Sequence, residues 1–315
     1  MGAMFGLLNI NKPAGMTSRD VVDRFFRLSM PFKIGHAGTL DPLATGVLLL
    51  CVGSATRLVS LLHDLDKSYR AEFLFGRRSD TDDVTGKVTV EDENPFVDRG
   101  QVEALLSSFT GRICQTPPAF SAVKINGKRA YRLARKGRKV ELASREVVVH
   151  NLRLVEWKPP SFTLEIDCGS GTYIRSLGRD LGENLGVGVI MNSLVRTRIG
   201  PYELKNSCKW TEAACSKAAF EKHLLPPQLG LPHLTHVTVS TETEFDIRNG
   251  RAVKLPEVEW TPTGRVASIS QTGRLIAILL PGESPIWKPR IVLNEPGQIE
   301  KGSSAREMNG DQGMV

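Results

Sequence analysis

Long hydrophobic runs are missing from this 315-residue chain. None exceeds the six residues of Val47-Leu48-Leu49-Leu50-Cys51-Val52, far short of the roughly 20 residues that span a bilayer, so no membrane helix is expected. The opening residues Met1-Gly2-Ala3-Met4-Phe5 lack a basic segment followed by an apolar one, so no secretory signal is expected either. Cysteine is scarce. Five are present (51, 114, 168, 208 and 215), an odd number without a C-x-x-C pair, which predicts reduced thiols in a cytoplasm rather than a disulfide framework. Cys208, Cys215 and His223 are near neighbours, but their spacing fits no zinc pattern, and no metal site is expected. Also absent are a phosphate-binding G-x-x-x-x-G-K-[ST] or G-x-G-x-x-G, a Ser-His-Asp elbow, paired metal carboxylates and any internal repeat. No heptad or self-complementary stripe is visible, so a monomer is expected.

What is present is ordinary globular material, 41% hydrophobic and 24% charged, long enough for two domains or one large domain with an appendage. The net charge of +7 is unevenly placed. Between Ser121 and His150 lie Lys124, Lys128, Arg129, Arg132, Arg135, Lys136, Arg138, Lys139 and Arg145, opposed only by Glu141 and Glu146. That stretch carries the whole surplus, because the remaining 32 basic and 32 acidic residues cancel. Such a concentration suits a polyanion-binding element, although a solvated face has the same composition.

Thr17-Ser18 caps a predicted helix whose Val21, Val22, Phe25 and Phe26 recur at helical spacing until Pro31. A loop from Gly35 to Gly46 leads into a buried strand at 47–52, and Ser54 is placed to cap a second helix with Leu58, Leu61, Leu62 and Leu65 inward. Tyr69, Ala71, Phe73 and Phe75 alternate as in a strand; residues 79–100 read as an acidic surface excursion. A helix at Val102–Phe109, strands at Glu146–Trp157 and Phe162–Cys168, and a helix with Ile174, Leu177, Leu181 and Leu185 inward follow. After Pro226-Pro227 the texture becomes short β-type runs, and the last residues, from 295, read as a disordered tail.

Two segments could carry chemistry. In Gly35-His36-Ala37-Gly38-Thr39-Leu40-Asp41-Pro42-Leu43-Ala44-Thr45-Gly46, glycines permit close backbone approach and Pro42 keeps Asp41 out of the α region. A simple turn former would look the same. In Gly169-Ser170-Gly171-Thr172-Tyr173-Ile174-Arg175, a guanidinium sits in the first turn of a helix, the unfavourable end of its dipole. Either an acid or phosphate faces Arg175, or it is an exposed arginine. A lone carboxylate supported by an arginine and an aromatic could act as nucleophile or general base.

The segment from Gly35 to Gly46 resembles the catalytic loop of the TruB-type tRNA pseudouridine synthases. Further segments match in order: Asn11-Lys12-Pro13-Ala14-Gly15-Met16-Thr17-Ser18, Asp66-Lys67-Ser68-Tyr69, Asp80-Thr81-Asp82-Asp83-Val84-Thr85-Gly86, Pro117-Pro118-Ala119-Phe120-Ser121-Ala122-Val123-Lys124 and Ser170-Gly171-Thr172-Tyr173-Ile174-Arg175. The resemblance implies an α+β fold: a mixed, largely antiparallel sheet in a catalytic domain at 1–230, then a small β-rich PUA-like RNA-binding domain at 231–294. It implies conversion of uridine 55 in the tRNA T-loop to pseudouridine, with the base flipped out and no cofactor. Asp41 would be the essential carboxylate, Tyr69 would stack on the uracil and move a proton, and Arg175 would hold Asp41 ionised. His36 would stand near the flipped nucleotides, Lys12 would support the site and Leu194 would pack on the base. Lys128, Arg129 and Arg132 would contact RNA phosphates.

The expected partner is the T-arm of tRNA. No guide RNA is expected, since a long basic terminal extension is lacking. A tRNA-folding chaperone acting on the T-arm elbow is the alternative from another class. Ala37 and Phe120 depart from a pattern that often has Thr and Tyr there, losing one hydroxyl each.

Overall fold

A computed structural model describes residues 4–121, 123–125, 127–137 and 140–293. The expected tail, Arg138 and Lys139, and the side chain of Lys128 lie outside the described residues.

The large sheet runs in the order Cys208–Lys209, Gly6–Lys12, Thr45–Val52, Val189–Ile199, Lys67–Phe75, Ser161–Cys168, Arg145–Lys158, Gly111–Gln115. Ile34–His36 adds to Thr45–Val52, and Tyr202–Glu203 to Val189–Ile199. Among the described residues of this sheet only two pairings are parallel, Gly6–Lys12 with Cys208–Lys209 and Thr45–Val52 with Val189–Ile199. The mixed, largely antiparallel sheet is therefore as expected.

Both faces of Thr45–Val52 are covered, which is why that strand is apolar throughout rather than alternating. Leu48, Leu50 and Val52 pack beneath the helix Ser18–Ser29, in a core that also holds the helix Ile174–Leu185. Val47, Leu49 and Cys51 face the other way, into a cluster shared with Ala267, Ile269, Leu275 and Ile278. Those four belong to a second, five-stranded sheet ordered Thr235–Thr238, Val266–Ile269, Leu275–Pro281, Ile286–Val292, Val253–Lys254. That sheet keeps a core of its own around Ile247, Ile276, Leu279 and Trp287.

Local signals explain the elements. Thr17 and Asp20 form a reciprocal capping box on Ser18–Ser29, and Asp98 with Gln101 does the same for Arg99–Leu106. Lys67–Phe75 is buried at every second residue, as its alternation requires. Ser54 does not cap: residues Gly53–Leu58 form a 3-10 turn before a short helix, Val59–His63, and the Ser54 hydroxyl has no partner among the described residues. A helix at Thr241–Arg248, capped by Ser240, interrupts what reads in sequence as β-rich texture. Residues 79–100 are only partly a surface excursion. A hairpin of Arg77–Ser79 with Val88–Val90 projects outward, yet the loop between them carries Asp83 into the interior at 2% exposure.

Candidate active site

The backbone around Asp41 is clamped before its carboxylate is considered. The Ser18 hydroxyl, at the start of its helix, donates to the Leu40 carbonyl at 3.1 Å and accepts from the Leu40 N–H at 2.8 Å. On the other side, the Pro42 carbonyl accepts from the Gly15 N–H at 2.8 Å and from the buried Lys12 ammonium at 3.4 Å. Lys12 also donates to the carbonyls of Pro13 and Met16. Upstream, the fully buried Arg196 donates to the carbonyls of Gly38, Thr39 and Val47. Gly46, at φ +99°, allows that crossing: a Cβ there would lie 2.3 Å from the Arg196 carbonyl oxygen. Asp41 thus hangs from a rigid loop with its side chain about one-third exposed.

Arg175 answers the dipole argument. Its Nε lies 3.0 Å from Asp41 Oδ2 and 3.6 Å from Asp83 Oδ2, while its terminal nitrogens donate to the carbonyls of Thr81 (2.7 Å) and Phe120 (3.2 Å). Gln115 fixes the start of that helix, donating to the Tyr173 carbonyl at 3.0 Å and accepting from its N–H at 2.7 Å. Asp83 is oriented in turn, because its Oδ1 accepts from the hydroxyls of Thr81 and Thr85 and from the Thr85 N–H. The guanidinium is 6% exposed, so its charge is held by a full set of acceptors rather than by water.

A cavity of about 350 Å³ opens against this pair, lined among others by Asp41, Tyr69, Phe120, Arg175, Leu194 and Arg196. Tyr69 and Leu194 project from neighbouring strands onto one face, since Tyr69 pairs with Arg196 and Ala71 with Leu194. The Tyr69 hydroxyl is hydrogen-bonded by Arg196; burial still pushes the phenol up, with the arginine opposing. Lys67 lines the cavity as well, its ammonium donating to the His63 and Leu65 carbonyls. Burial lowers both Lys12 and Lys67 to about 8, in part offset for Lys12 by Asp41.

Among the described residues, the buried charged side chains are Lys12, Lys67, Asp83, Arg175 and Arg196. All five border this cavity or brace the residues that do. Buried charge is costly unless paired, so its concentration around one hollow marks this cavity as the candidate site. With Asp41 added, four bases face two acids.

The structure therefore brings together Asp41, Tyr69, Arg175 and Leu194, with Lys12 behind the loop. His36 stands apart. It is half-buried on Ile34–His36, outside the cavity lining, and burial followed by Arg196 lowers its pKa, favouring the neutral ring. Arg129 and Arg132 are exposed on a hairpin and short helix, Ala130–Ala134, tied to the cavity wall by backbone bonds from Ala130 to Val123 and Tyr131 to Ser121. Arg135 and Arg132 lie over the Tyr131 ring at 5.5 and 6.0 Å.

Sequence reasoning missed Asp83, Arg196 and Arg145. Asp83 sits in the acidic segment Asp80–Gly86, where the resemblance suggested no role for it. Arg145 donates to the Gly171 carbonyl and stacks 5.1 Å from the Tyr173 ring at the cavity edge. The two departures are explained locally: Ala37 is fully buried against apolar neighbours, and Phe120 serves Arg175 with its carbonyl.

The family model for TruB family pseudouridylate synthase (N terminal domain) matches residues 24–174. A tRNA pseudouridine synthase B of Synechocystis sp. is 41% identical over 301 residues, covering 92% of this chain and all of the relative. That of Symbiobacterium thermophilum is 45% identical over 250 residues, covering 78% and 82%. Among solved structures, an H/ACA ribonucleoprotein bound to a substrate RNA containing 2'-deoxyuridine superposes with a TM-score of 0.72 at 22% identity, over 93% of this chain and 86% of that one. A Cbf5-Nop10-Gar1 complex gives 0.71 at 24%, over 93% and 85%. These last two bear on the fold, whereas the Synechocystis relative, at 41% identity, matches over 92% of this chain: it belongs to the TruB family of pseudouridine synthases.

Proposed function

We propose that this chain converts uridine to pseudouridine in tRNA, at position 55 of the T-loop, using protein groups and no cofactor. The reaction is an isomerisation. The bond from ribose C1' to uracil N1 breaks, the base turns, a bond forms from C1' to C5, and the proton lost from C5 is balanced by one gained at N1.

The observation that carries this reading is the Arg175–Asp41 contact at 3.0 Å on the wall of a cavity floored by Tyr69. A carboxylate entering a closed pocket tends to take up a proton; a guanidinium beside it opposes that and sets its direction. Asp41 is then the carboxylate that acts on the glycosidic bond. The target nucleotide must leave its stack, at a cost of a few kcal/mol, and stacking on Tyr69 returns about 1–3 kcal/mol of it. Leu194, on the same face as Tyr69, adds an apolar contact to the base, and the Tyr69 hydroxyl, held by Arg196, moves the C5 proton in this reading. Lys12 supports the loop, and His36, outside the cavity lining, is assigned to nucleotides flanking the target.

RNA phosphates are met by Lys128, Arg129 and Arg132 in this reading. Residues 1–230 form the catalytic domain and 231–294 a PUA-like module that extends the RNA surface. The protein works as a cytoplasmic monomer without a guide RNA. Among the described residues no helix is long and apolar enough to cross a membrane.

The test is a bare T-arm hairpin, without any guide, assayed with wild type and Asp41→Asn. Pseudouridine is expected with wild type and none with the variant, while hairpin binding persists. Turnover by Asp41→Asn overturns the assignment. Refolding of tRNA by the same variant measures any chaperone action separately.

A further inference from the structure

At the edge of the large sheet, away from the cavity, the thiol of Cys208, the carboxylate of Glu212 and the imidazole of His223 converge, with their donor atoms all within 4.8 Å of one another. Cys208 begins the edge strand paired with Gly6–Lys12; Glu212 lies on the turn of helix Trp210–Ala213; His223 closes the helix Lys217–Lys222. In sequence, Cys208, Cys215 and His223 fit no zinc spacing. The fold replaces Cys215 by Glu212, turning the Cys215 thiol away to the Glu212 carbonyl at 2.9 Å.

We propose that Cys208, Glu212 and His223 form a binding site for one divalent cation of borderline-soft character, zinc or a metal of similar preference, with the fourth position left to solvent. Three separate features argue for it. The donor set, one thiolate, one imidazole and one carboxylate, is the mixture such ions take, in tetrahedral geometry, at metal–donor distances of about 2.0–2.3 Å. The donors come from three successive elements, so an ion would staple the edge strand to both short helices. And the groups are poorly served without one. The His223 ring has no hydrogen-bond or ion-pair partner among the described residues, and the buried Cys208 thiol meets backbone groups alone, the Lys209 carbonyl at 3.4 Å and the Ala213 N–H. Glu212 has one competing partner, Lys209, at 3.7 Å on the exposed side.

An ion here would tie together elements that lead to the Asp41 loop. Cys208 pairs with Ile10, two residues before the Lys12 that braces the Asp41 loop, and the Ala214 carbonyl accepts from Arg24 of the helix Ser18–Ser29 at 2.7 Å.

Titration of the metal-depleted full chain with Co(II), and separately with Zn(II) followed by elemental analysis, tests this. One equivalent is expected, and the cobalt form should show a thiolate-to-metal charge-transfer band with the intense visible bands of tetrahedral coordination. Cys208→Ser and His223→Gln should each lower affinity by more than the ~10–100-fold typical of removing an outer-shell partner, whereas Cys215→Ser should keep both stoichiometry and bands. His223→Gln changes a half-buried side chain, so circular dichroism matching wild type will separate failed ligation from failed folding. No stoichiometric metal in wild type, an octahedral cobalt spectrum, or binding that survives both Cys208→Ser and His223→Gln overturns the proposal.

Discussion

Two groups of arginines teach opposite lessons about one side chain. Arg175 and Arg196 are buried, and each is surrounded by acceptors fixed in advance: carboxylates and carbonyls for one, three carbonyls and a phenol for the other. Arg129, Arg132 and Arg135 stand in water on a small projecting element, two of them resting on Tyr131. The first pair is preorganised, so its geometry survives the arrival of a substrate. The second set is exposed and, in the proposed reading, acts on phosphates through charge. Removing a buried arginine's partner should therefore damage turnover, and removing an exposed arginine should damage affinity.

The largest effect short of Asp41 itself is expected from Asp83→Asn. It touches no substrate in the proposed reading, yet it removes the second carboxylate holding Arg175. A misplaced Asp41 should cost on the order of 10²-fold in single-turnover rate, with tRNA affinity unchanged. Weakened affinity with normal turnover would break the distinction.

Next comes the exposed set. Combined Arg129→Ala, Arg132→Ala and Arg135→Ala should weaken tRNA binding and flatten its dependence on salt, with turnover of bound tRNA unaltered. The log–log slope should fall by roughly 0.7–0.9 for every phosphate that these side chains neutralise in the wild type. An unchanged slope would make this element a solvated face only.

A smaller effect concerns Lys67, whose pKa burial lowers to about 8. Between about pH 8 and the ordinary lysine range the unfolded chain holds more protons than the folded one, so this group makes stability rise with pH across that window. The rise is at most about 3 kcal/mol, and Lys67→Met should remove its share, read from urea denaturation at pH 7.5 and 9.5. Phe120→Tyr should do least: the site uses the Phe120 carbonyl, and turnover is expected to stay within about twofold, consistent with a change of under ~0.5 kcal/mol.

How much of this was readable beforehand depended on whether a residue's neighbours in space were also its neighbours in sequence. The capped helix after Thr17 and the alternating strand from Lys67 to Phe75 declare themselves locally. So does Arg175, whose position in a first helical turn asks for an acid. The strand Val189–Ile199 does not. Bulges between Met191 and Ser193 and between Arg196 and Arg198 break its two-residue period, and a buried arginine occupies a place where the pattern calls for an apolar side chain. Asp83 was hidden for a related reason. An aspartate in an acidic, turn-rich stretch looks solvated until its partner, far along the chain, is placed beside it.

The apolar cluster joining the two sheets has a consequence for how this molecule can be divided. Val47, Leu49 and Cys51 have the second sheet as part of their roof, and Arg57 donates to the Val292 carbonyl across the same seam at 2.8 Å. The strand they belong to begins where the Asp41 loop ends. A domain boundary drawn near residue 230 therefore cuts through a shared apolar core, and burial couples the C-terminal module to the strand that follows the loop carrying the carboxylate.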